Sequence, residues 1–172
     1  LIEDIIKLSK LDEGSVEIEK EEVDLYELSR EIISRLSMQA SMKHVHVSLS
    51  GEPVTYVGIR QILDEMIYNI CENAIKYNKP GGWVHVTLNA DHQYFYLKVE
   101  DSGIGIPEDS LEHIYERFYR VDKSHSREIG GTGLGLAIAR SAIVMHRGAI
   151  RVYSKENEGT TFSVRIPLNY VM

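Results

Sequence analysis

The chain has 172 residues, a formal net charge of −7, and 43% hydrophobic and 26% charged residues. This composition is typical of one globular domain with a real core. The acidic balance excludes a chain-wide nucleic-acid footprint, so we expect no nucleic-acid partner. No apolar run approaches the roughly 20 residues of a membrane helix. The one cysteine, Cys71, excludes an internal disulfide, and its apolar helical surroundings predict a buried thiol.

The first 22 residues fall into two patterns. Apolar residues recur at three- and four-residue spacings over residues 1–11, which predicts an amphipathic helix too short to be stable alone. Residues 12–22 are acidic, with Gly14 as a helix breaker, and we interpret them as a linker. Since Leu1 begins in mid-pattern and is not Met, we expect the chain to be a piece of a longer protein.

A helix, a strand and a turn are predicted next. Asp24 and Glu27 form a D-x-x-E capping box, and the apolar stripe behind it continues to about Met42. Residues 45–49 alternate as a strand, and residues 51–53 turn the chain toward residues 54–57. His44 and His46 share one face of that strand. With no third ligand at a suitable spacing, we favour exposed strand residues over a metal site.

The longest predicted helix spans Ile59 to Tyr77. Asn69, Asn73 and Lys76 lie within about 60° of one another on it and border its broad apolar face. Asparagine is unfavourable within a helix, so this row either faces solvent or directs amide oxygens and an ammonium group at a polyanion and its metal ion.

The loop at Asp101–Pro107 (D-S-G-I-G-I-P) follows a predicted strand at Tyr94–Glu100, which pairs with residues 84–89. It places one carboxylate, Asp101, at a strand end, where it can accept from an exocyclic amine such as that of adenine. Gly103 and Gly105 allow a sharp turn and close approach of a flat ligand. The alternative is a surface turn.

The remaining elements are a short helix (Glu108–Tyr115), a loop (Glu116–Gly131), a helix (Leu134–His146) and two closing strands (Ala149–Ser154 and Thr160–Ile166). Between Arg117 and Arg127 the loop carries four basic residues and one acidic residue, which favours a lid that meets phosphates over a solvated loop. Glycines before the second helix predict an anion site at its N-terminus. Their spacing fits neither a dinucleotide fingerprint nor a P-loop.

Five segments occur in one order and together resemble the N, G1, F, G2 and G3 boxes of the catalytic, ATP-binding domain of sensor histidine kinases. They are N-x-x-x-N-A-x-K-Y (Asn69–Tyr77), D-x-G-x-G (Asp101–Gly105), E-R-F-Y-R-V-D (Glu116–Asp122), G-T-G-L-G-L (Gly131–Leu136) and G-T-T-F (Gly159–Phe162). The resemblance runs from about Val23 to Leu168. Residues 1–14 resemble the end of the second helix of the preceding dimerisation domain, which makes residues 15–172 the catalytic domain.

The resemblance implies a two-layer α/β sandwich, the Bergerat ATP-binding fold, in which helices cover one face of a mixed sheet. It implies that Asp101 accepts from the adenine amine, with Thr160 or Thr161 nearby, and that Asn73, with Asn69 as a second candidate, ligates Mg²⁺. The remaining implied contacts to ATP lie in or next to the same boxes: Lys76, Tyr77, Gly103, Gly105, Ile106, Gly133, Leu134, Gly135, Leu136 and, for the phosphates, Arg120 or Arg127.

The resemblance also implies a reaction. Asn69 stands where the ATP-hydrolysing gyrase and chaperone relatives carry a water-activating glutamate, so slow hydrolysis is expected. The γ-phosphoryl group would pass to a histidine on the dimerisation domain and then to an aspartate of a response regulator. No acceptor box such as S-H-E-L-R-T-P and no general base are identified in this chain.

Other implied partners are ATP or ADP. The fragment is expected to be monomeric, its parent homodimeric, and the domain cytoplasmic in a membrane-anchored bacterial sensor. Two alternatives remain open: a degenerate module that binds ATP without transferring it, and a serine kinase of the anti-sigma-factor type.

Overall fold

A computed structural model describes residues 20–116 and 134–168. Its elements in chain order are β1 (Glu21–Asp24), α1 (Leu25–Arg35), α2 (Ser37–Met42), β2 (His46–Gly51), β3 (Thr55–Gly58), α3 (Arg60–Lys76), β4 (Trp83–Ala90), β5 (Tyr94–Asp101), a 3₁₀ turn (Glu108–Ser110), α4 (Gly135–Met145), β6 (Ala149–Lys155) and β7 (Gly159–Pro167).

The main sheet has five strands in the order β2-β4-β5-β7-β6. Strands β2 and β4 are parallel, and the other neighbours are antiparallel, so the sheet is mixed as predicted. Strands β1 and β3 form a separate antiparallel ribbon. The predicted pairing of residues 84–89 with 94–100 is confirmed by the β4–β5 register.

One face of the main sheet is apolar and carries the core. Val86, Leu97 and Phe162 are fully buried on that face, whereas the intervening residues of the same strands are partly exposed. This alternation is what a sheet covered on one side produces. Helix α3 packs on β4 and β5, and α4 packs on α3 and β6. The predicted architecture, helices on one face of a mixed sheet, is confirmed.

Helix α3 is the centre of the helical layer. Its apolar stripe is buried along its whole length: Ile62, Leu63, Met66, Ile67, Ile70, Cys71, Ala74 and Ile75. Cys71 is fully buried, and burial raises the pKa of its thiol to about 12. The prediction of a buried thiol is therefore confirmed.

The predicted helix to Met42 is wrong at one point. Asp24 caps α1 as expected, because its Oδ1 accepts from the Glu27 amide at 3.0 Å. The helix then ends at Arg35, and Leu36, at φ −90° and ψ −2°, separates it from α2. Ser37 Oγ donates to the Ser34 carbonyl at 2.7 Å, so a local side-chain hydrogen bond competes with helix continuation here.

Other local predictions need correction. Glu21 and Glu22, assigned to the linker, belong to β1, because pairing with β3 extends them. The helix predicted at Glu108–Tyr115 is a single 3₁₀ turn at Glu108–Ser110, followed by further turns. His44 has φ +59° and precedes β2, so it does not share a strand face with His46.

Several predictions fall outside the described residues: the helix remnant and domain boundary within residues 1–19, the basic lid with Arg120, and Gly133. Across residues 20–116 and 134–168, no helix has the length and apolar character needed to cross a membrane. No group of three potential metal-ligating His, Cys, Asp or Glu side chains occurs in the same ranges.

Candidate functional site

A row of polar side chains crosses β5, β7 and β6 where the core face of the sheet ends. Asp101 pairs with Thr160, and Thr160 pairs with Ser154. Because side chains alternate along a strand, this row lies on the same face as the core residues Val99 and Phe162. The apolar face of the sheet therefore ends in three polar groups.

One carboxylate oxygen of Asp101 accepts hydrogen bonds from two backbone amides. Its Oδ1 accepts from the Gly103 amide at 2.8 Å and from the Thr160 amide at 3.2 Å. Burial raises the pKa of Asp101 to about 6, against the opposing effect of these two hydrogen bonds. No described residue hydrogen-bonds to its Oδ2. Oδ2 of this half-buried carboxylate therefore has acceptor capacity left, and a ligand amine can supply the donor.

The structure distinguishes the two threonines that the sequence left open. Thr160 is 7% exposed and lies beside Asp101. Thr161 alternates to the opposite face of the sheet, where its register partners are Glu100 and Tyr153. Thr160 is therefore the threonine that the fold brings to the carboxylate.

The loop after Asp101 is held from both sides by backbone groups. The Ile104 amide donates to the Tyr77 carbonyl at the end of α3, and the Ile104 carbonyl accepts from the Asn157 amide in the β6–β7 turn. The Ile106 amide donates to Ser154 Oγ at 2.7 Å. Ile106 is 9% exposed and belongs to the hydrophobic core. The loop thus bridges the helical layer and the far edge of the sheet.

Gly103 and Gly105 are required by close backbone packing. A Cβ on Gly103 would lie 2.4 Å from the Tyr77 carbonyl oxygen. Gly105 has φ +72°, and its Cβ would lie 2.2 Å from the Lys155 carbonyl oxygen. The prediction that these positions need glycine agrees with the structure, but the close approach described there is that of neighbouring backbone.

The polar row of α3 borders the start of α4. Asn69, Asn73 and Lys76 are all half-buried. Asn69 Nδ2 donates to the Glu65 carbonyl at 2.7 Å, and its Oδ1 would lie 3.1 Å from a Cβ on Gly135. Within the described ranges, the Asn73 side chain makes no hydrogen bond. Two amide oxygens therefore have acceptor capacity left for a ligand.

Lys76 has an acidic neighbour on the same helix. Its Nζ lies 3.3 Å from Glu72 Oε1, and the two side chains are 22% and 23% exposed. Glu72 also interacts with Tyr68, where burial first, and then the charge and hydrogen bond of Glu72, raise the pKa of the phenol. Glu72 thus neutralises Lys76, the one cation among these three residues of α3. Lys43 Nζ donates to the Lys76 carbonyl and caps the C-terminus of α3.

Helix α4 begins at the same edge. Leu134 is its N-cap residue, makes no side-chain capping hydrogen bond, and is fully buried against Ala137 and Ile138. Its backbone, and not its side chain, is thus what could face an anion. The first amides of the 11-residue helix need acceptors, and an anion can provide them. Leu136 is half-buried in the first turn.

Three residues that organise this region were missed from the sequence. Ser154 and Asn157 hold the loop after Asp101, and buried Asn78 accepts from the Lys79 amide and donates to the Trp83 carbonyl. A signal for Ser154 existed: a hairpin turn centred on Asn157 places Ser154 directly opposite Thr160. The hydrogen bond from Asn78 to Trp83 spans the turn, so no local sequence pattern predicts it.

A family model described as histidine kinase-, DNA gyrase B- and HSP90-like ATPase matches residues 58–170. Curated relatives include the sensor histidine kinase RppB of Synechocystis, 38% identical over 98% of this chain, and WalK of Bacillus subtilis, 36% identical over 97% of it. The chain spans 37% and 28% of the lengths of these two relatives.

Solved structures of similar fold belong to the same kind of protein. The mycobacterial sensor histidine kinase MprB is 29% identical, with a TM-score of 0.75 over 86% of this chain and 97% of that one. Full-length ShkA, solved in complex with AMPPNP, is 25% identical, with a TM-score of 0.83 over 98% of this chain and 35% of that one.

Proposed function

The chain belongs to the histidine kinase-, DNA gyrase B- and HSP90-like ATPases, as an ATP-binding catalytic domain of the sensor histidine kinase kind, and on that premise we propose its ligand contacts and its reaction. It binds Mg-ATP and transfers the γ-phosphoryl group to a histidine that this chain does not contain. The observation that carries the proposal is Asp101, whose Oδ2 has unused acceptor capacity at the polar end of an apolar sheet face.

The adenine end of the ligand is assigned to the polar row of the sheet and to the loop that follows Asp101. Asp101 Oδ2 accepts from the exocyclic amine, with Thr160 beside it and Ile106 as an apolar wall. Gly103 and Gly105 hold the loop that shapes this end, and Tyr77, at the end of α3, lies against the same loop. A mostly apolar pocket with few convergent polar groups is the usual way to bind a flat base.

The phosphate end is assigned to α3 and the start of α4. Asn73 and Asn69 supply amide oxygens, which are the kind of ligand that Mg²⁺ prefers, and bound Mg²⁺ neutralises charge on the phosphates. Lys76 and the backbone of Leu134, Gly135 and Leu136 contact the phosphates. Gly133 and Arg120, outside the described residues, complete the proposed set.

Asn69 favours transfer over hydrolysis. A neutral amide does not take a proton from water, so the chain lacks the glutamate that would activate a water molecule at this position. The bond between the γ-phosphorus and the β–γ bridging oxygen then breaks as an acceptor imidazole nitrogen bonds to phosphorus, and ADP leaves. Positioning and charge neutralisation are the main requirements for this step.

The partners and setting of the parent protein are part of the same proposal. The phosphoryl acceptor lies on a dimerisation domain whose last helix ends within residues 1–14, and the receiver domain of a response regulator accepts the group next. The parent is a homodimer anchored in a bacterial membrane, with this domain in the cytoplasm, and the isolated chain is monomeric.

A transfer assay tests the proposal. The chain is mixed with a separately purified dimerisation and phosphoacceptor domain and ATP labelled in the γ-phosphate. We expect label on the acceptor histidine with wild-type chain, and none when that histidine is replaced by Gln. ATP binding without labelling would support a degenerate module, and acid-stable label on serine would support the anti-sigma-factor type of kinase.

A further inference from the structure

Ser154 contacts Ile106, Gly159 and Thr160 at the proposed adenine end, although it lies outside every motif in the sequence. Its Oγ accepts from the Ile106 amide at 2.7 Å, lies 3.1 Å from the Gly159 carbonyl oxygen and lies 2.8 Å from Thr160 Oγ1. Ser154 is half-buried, and Thr160 is buried, so unsatisfied polar groups here are costly.

The protons of this network can be counted. A serine hydroxyl has one proton and two lone pairs. The Gly159 carbonyl cannot donate, so the contact at 3.1 Å is a hydrogen bond when the Ser154 proton is directed to it. Thr160 must then donate its own proton to Ser154, and this is the arrangement in which all three contacts are hydrogen bonds.

This arrangement determines whether Thr160 can donate a hydrogen bond to a ligand. Once its proton is directed to Ser154, Thr160 Oγ1 has lone pairs alone for a ligand. It stands beside Asp101, whose Oδ2 is also an acceptor. The base-binding end therefore offers two acceptors, which suit the N–H groups of an exocyclic amine and oppose a ring oxo group.

We propose that Ser154 is a positioning residue for base specificity: it fixes the Thr160 hydroxyl as an acceptor, and the site thereby selects 6-amino over 6-oxo purine nucleotides. The inference rests on the proposed ATP site and adds a residue that sets its selectivity without touching the ligand. Other hydroxyls of β7 lack this geometry. Ser163, on the opposite face, pairs with Lys98 and Arg151.

Two nucleotides test the proposal: ATP and inosine triphosphate, which carries an oxo group at position 6. The dissociation constants of both are measured by calorimetry with Mg²⁺ on the 172-residue chain, and their ratio is the readout. In Ser154→Ala the Thr160 proton becomes free to turn toward the ligand. We expect the preference for ATP to fall by about tenfold, the effect of one reversed hydrogen bond.

Three further variants make the result specific. Ser154→Cys keeps the shape of the side chain with a larger terminal atom and replaces the acceptor with a weak one, so it should also lower the preference, even if Ser154→Ala does not fold. Ser163→Ala removes a hydroxyl from the other face and should leave the ratio unchanged. In a Thr160→Val background, Ser154→Ala should have no further effect on the ratio.

A merely structural role predicts a different pattern. Equal weakening of ATP and inosine triphosphate in Ser154→Ala and Ser154→Cys, with the ratio unchanged, would overturn the proposal. So would a fall in the ratio that persists in the Thr160→Val background. Failure of the wild-type chain to bind ATP would instead contradict the proposed function itself, so the two failures are distinguishable.

Discussion

Asp101, which we propose binds the base, carries a cost to stability. Burial raises its pKa from 3.8 to about 6, so between these pH values the folded chain holds a proton that the unfolded chain has released. The free energy of unfolding contributed by this group therefore falls as the pH rises through that window and stays low above it. A shift of about two units corresponds to about 2–3 kcal/mol.

Asp101→Asn should thus stabilise the ligand-free chain at pH 7.5 by on the order of 2 kcal/mol, because an amide keeps the accepting oxygen without a buried charge. The gain should be much smaller at pH 4, where the wild-type carboxyl is protonated. Urea unfolding at both pH values measures it. Asp91→Asn is the control: hydrogen bonds from Tyr96 and two amides lower the pKa of exposed Asp91 to about 2, so its removal should not stabilise the chain. Equal stability of wild type and Asp101→Asn at both pH values would refute this reading of Asp101.

Under the proposed assignment of Lys76 to the phosphates, Glu72 competes with phosphate for the Lys76 ammonium group. The carboxylate neutralises the ammonium at 3.3 Å and adds negative charge beside the phosphate end. Glu72→Gln should therefore tighten binding of metal-free ATP about three- to tenfold, with a smaller effect on Mg-ATP, whose charge is already reduced.

Glu31→Gln is the matched control for Glu72, since it removes the same charge from an exposed pair with Arg60, away from the site. Calorimetry in EDTA and in Mg²⁺ measures both variants. An unchanged or weaker affinity of Glu72→Gln for metal-free ATP would contradict the competition.

At the scale of elements, the loop between β5 and the 3₁₀ turn depends on backbone packing. Gly105 and Gly81 both have positive φ, at +72° and +84°, but a Cβ at Gly105 meets the Lys155 carbonyl at 2.2 Å, whereas a Cβ at Gly81 meets nothing within 4 Å. The two positions separate backbone strain from steric overlap.

Gly81→Ala should cost about 1–2 kcal/mol of unfolding free energy, the strain of a left-handed residue, and leave ATP affinity unchanged. Gly105→Ala should cost more and weaken ATP binding at least tenfold, because the loop must move away from the β6–β7 turn. Chemical denaturation and ATP titration measure both. Retained affinity in Gly105→Ala would show that this loop does not shape the site.

The elements that could be predicted from the sequence are those with their own periodicity. The apolar stripe of α3 predicted the helical layer, and the alternation in β4 and β5 predicted the hairpin. The spacing of Asn69, Asn73 and Lys76 predicted that they share one edge of α3. The break at Leu36 was not predictable, because Ser37 is compatible with a continuing helix. Strand β1 was missed because its pairing with β3 depends on residues more than thirty positions away.

Within the candidate site, sequence motifs identified some residues, whereas others depend on how the strands pair. Asp101 and its glycines were identified by motif, but their reasons differ: the glycines avoid the Tyr77 and Lys155 carbonyls. Ser154 was missed because its role follows from cross-strand register, which the sequence does not state directly.

Across the whole molecule, His146 and Asp101 have opposite effects on the free energy of unfolding as the pH falls. His146 lies at the end of α4; its Nδ1 bonds to the Ala142 carbonyl, and its buried Nε2 has no hydrogen-bond partner among the described residues. Burial lowers the pKa of His146, the hydrogen bond to the Ala142 carbonyl opposes this shift, and the charge of Lys20 adds to the lowering. Since the folded-state pKa lies below the ordinary value of 6.5, stability from this neutral histidine is present above pH 6.5 and is lost as the pH falls.

His146→Phe, which keeps a ring near Tyr56, should therefore reduce the loss of stability between pH 7.5 and pH 5. Thermal unfolding across that range is the measurement. In Asp101→Asn the loss should instead become larger, because the opposing contribution of Asp101 is removed. An identical pH dependence in His146→Phe and wild type would exclude His146 as the source.

We propose one site that binds the base through Asp101 and the phosphates through Mg²⁺ and the polar residues of α3. Calorimetric titration of the chain with ATP, with and without Mg²⁺, beside Asp101→Asn, tests it most directly. We expect binding that strengthens with Mg²⁺ and that is at least tenfold weaker in the variant, which should remain folded. Absence of binding by the wild-type chain, or undiminished binding by Asp101→Asn, would contradict this site.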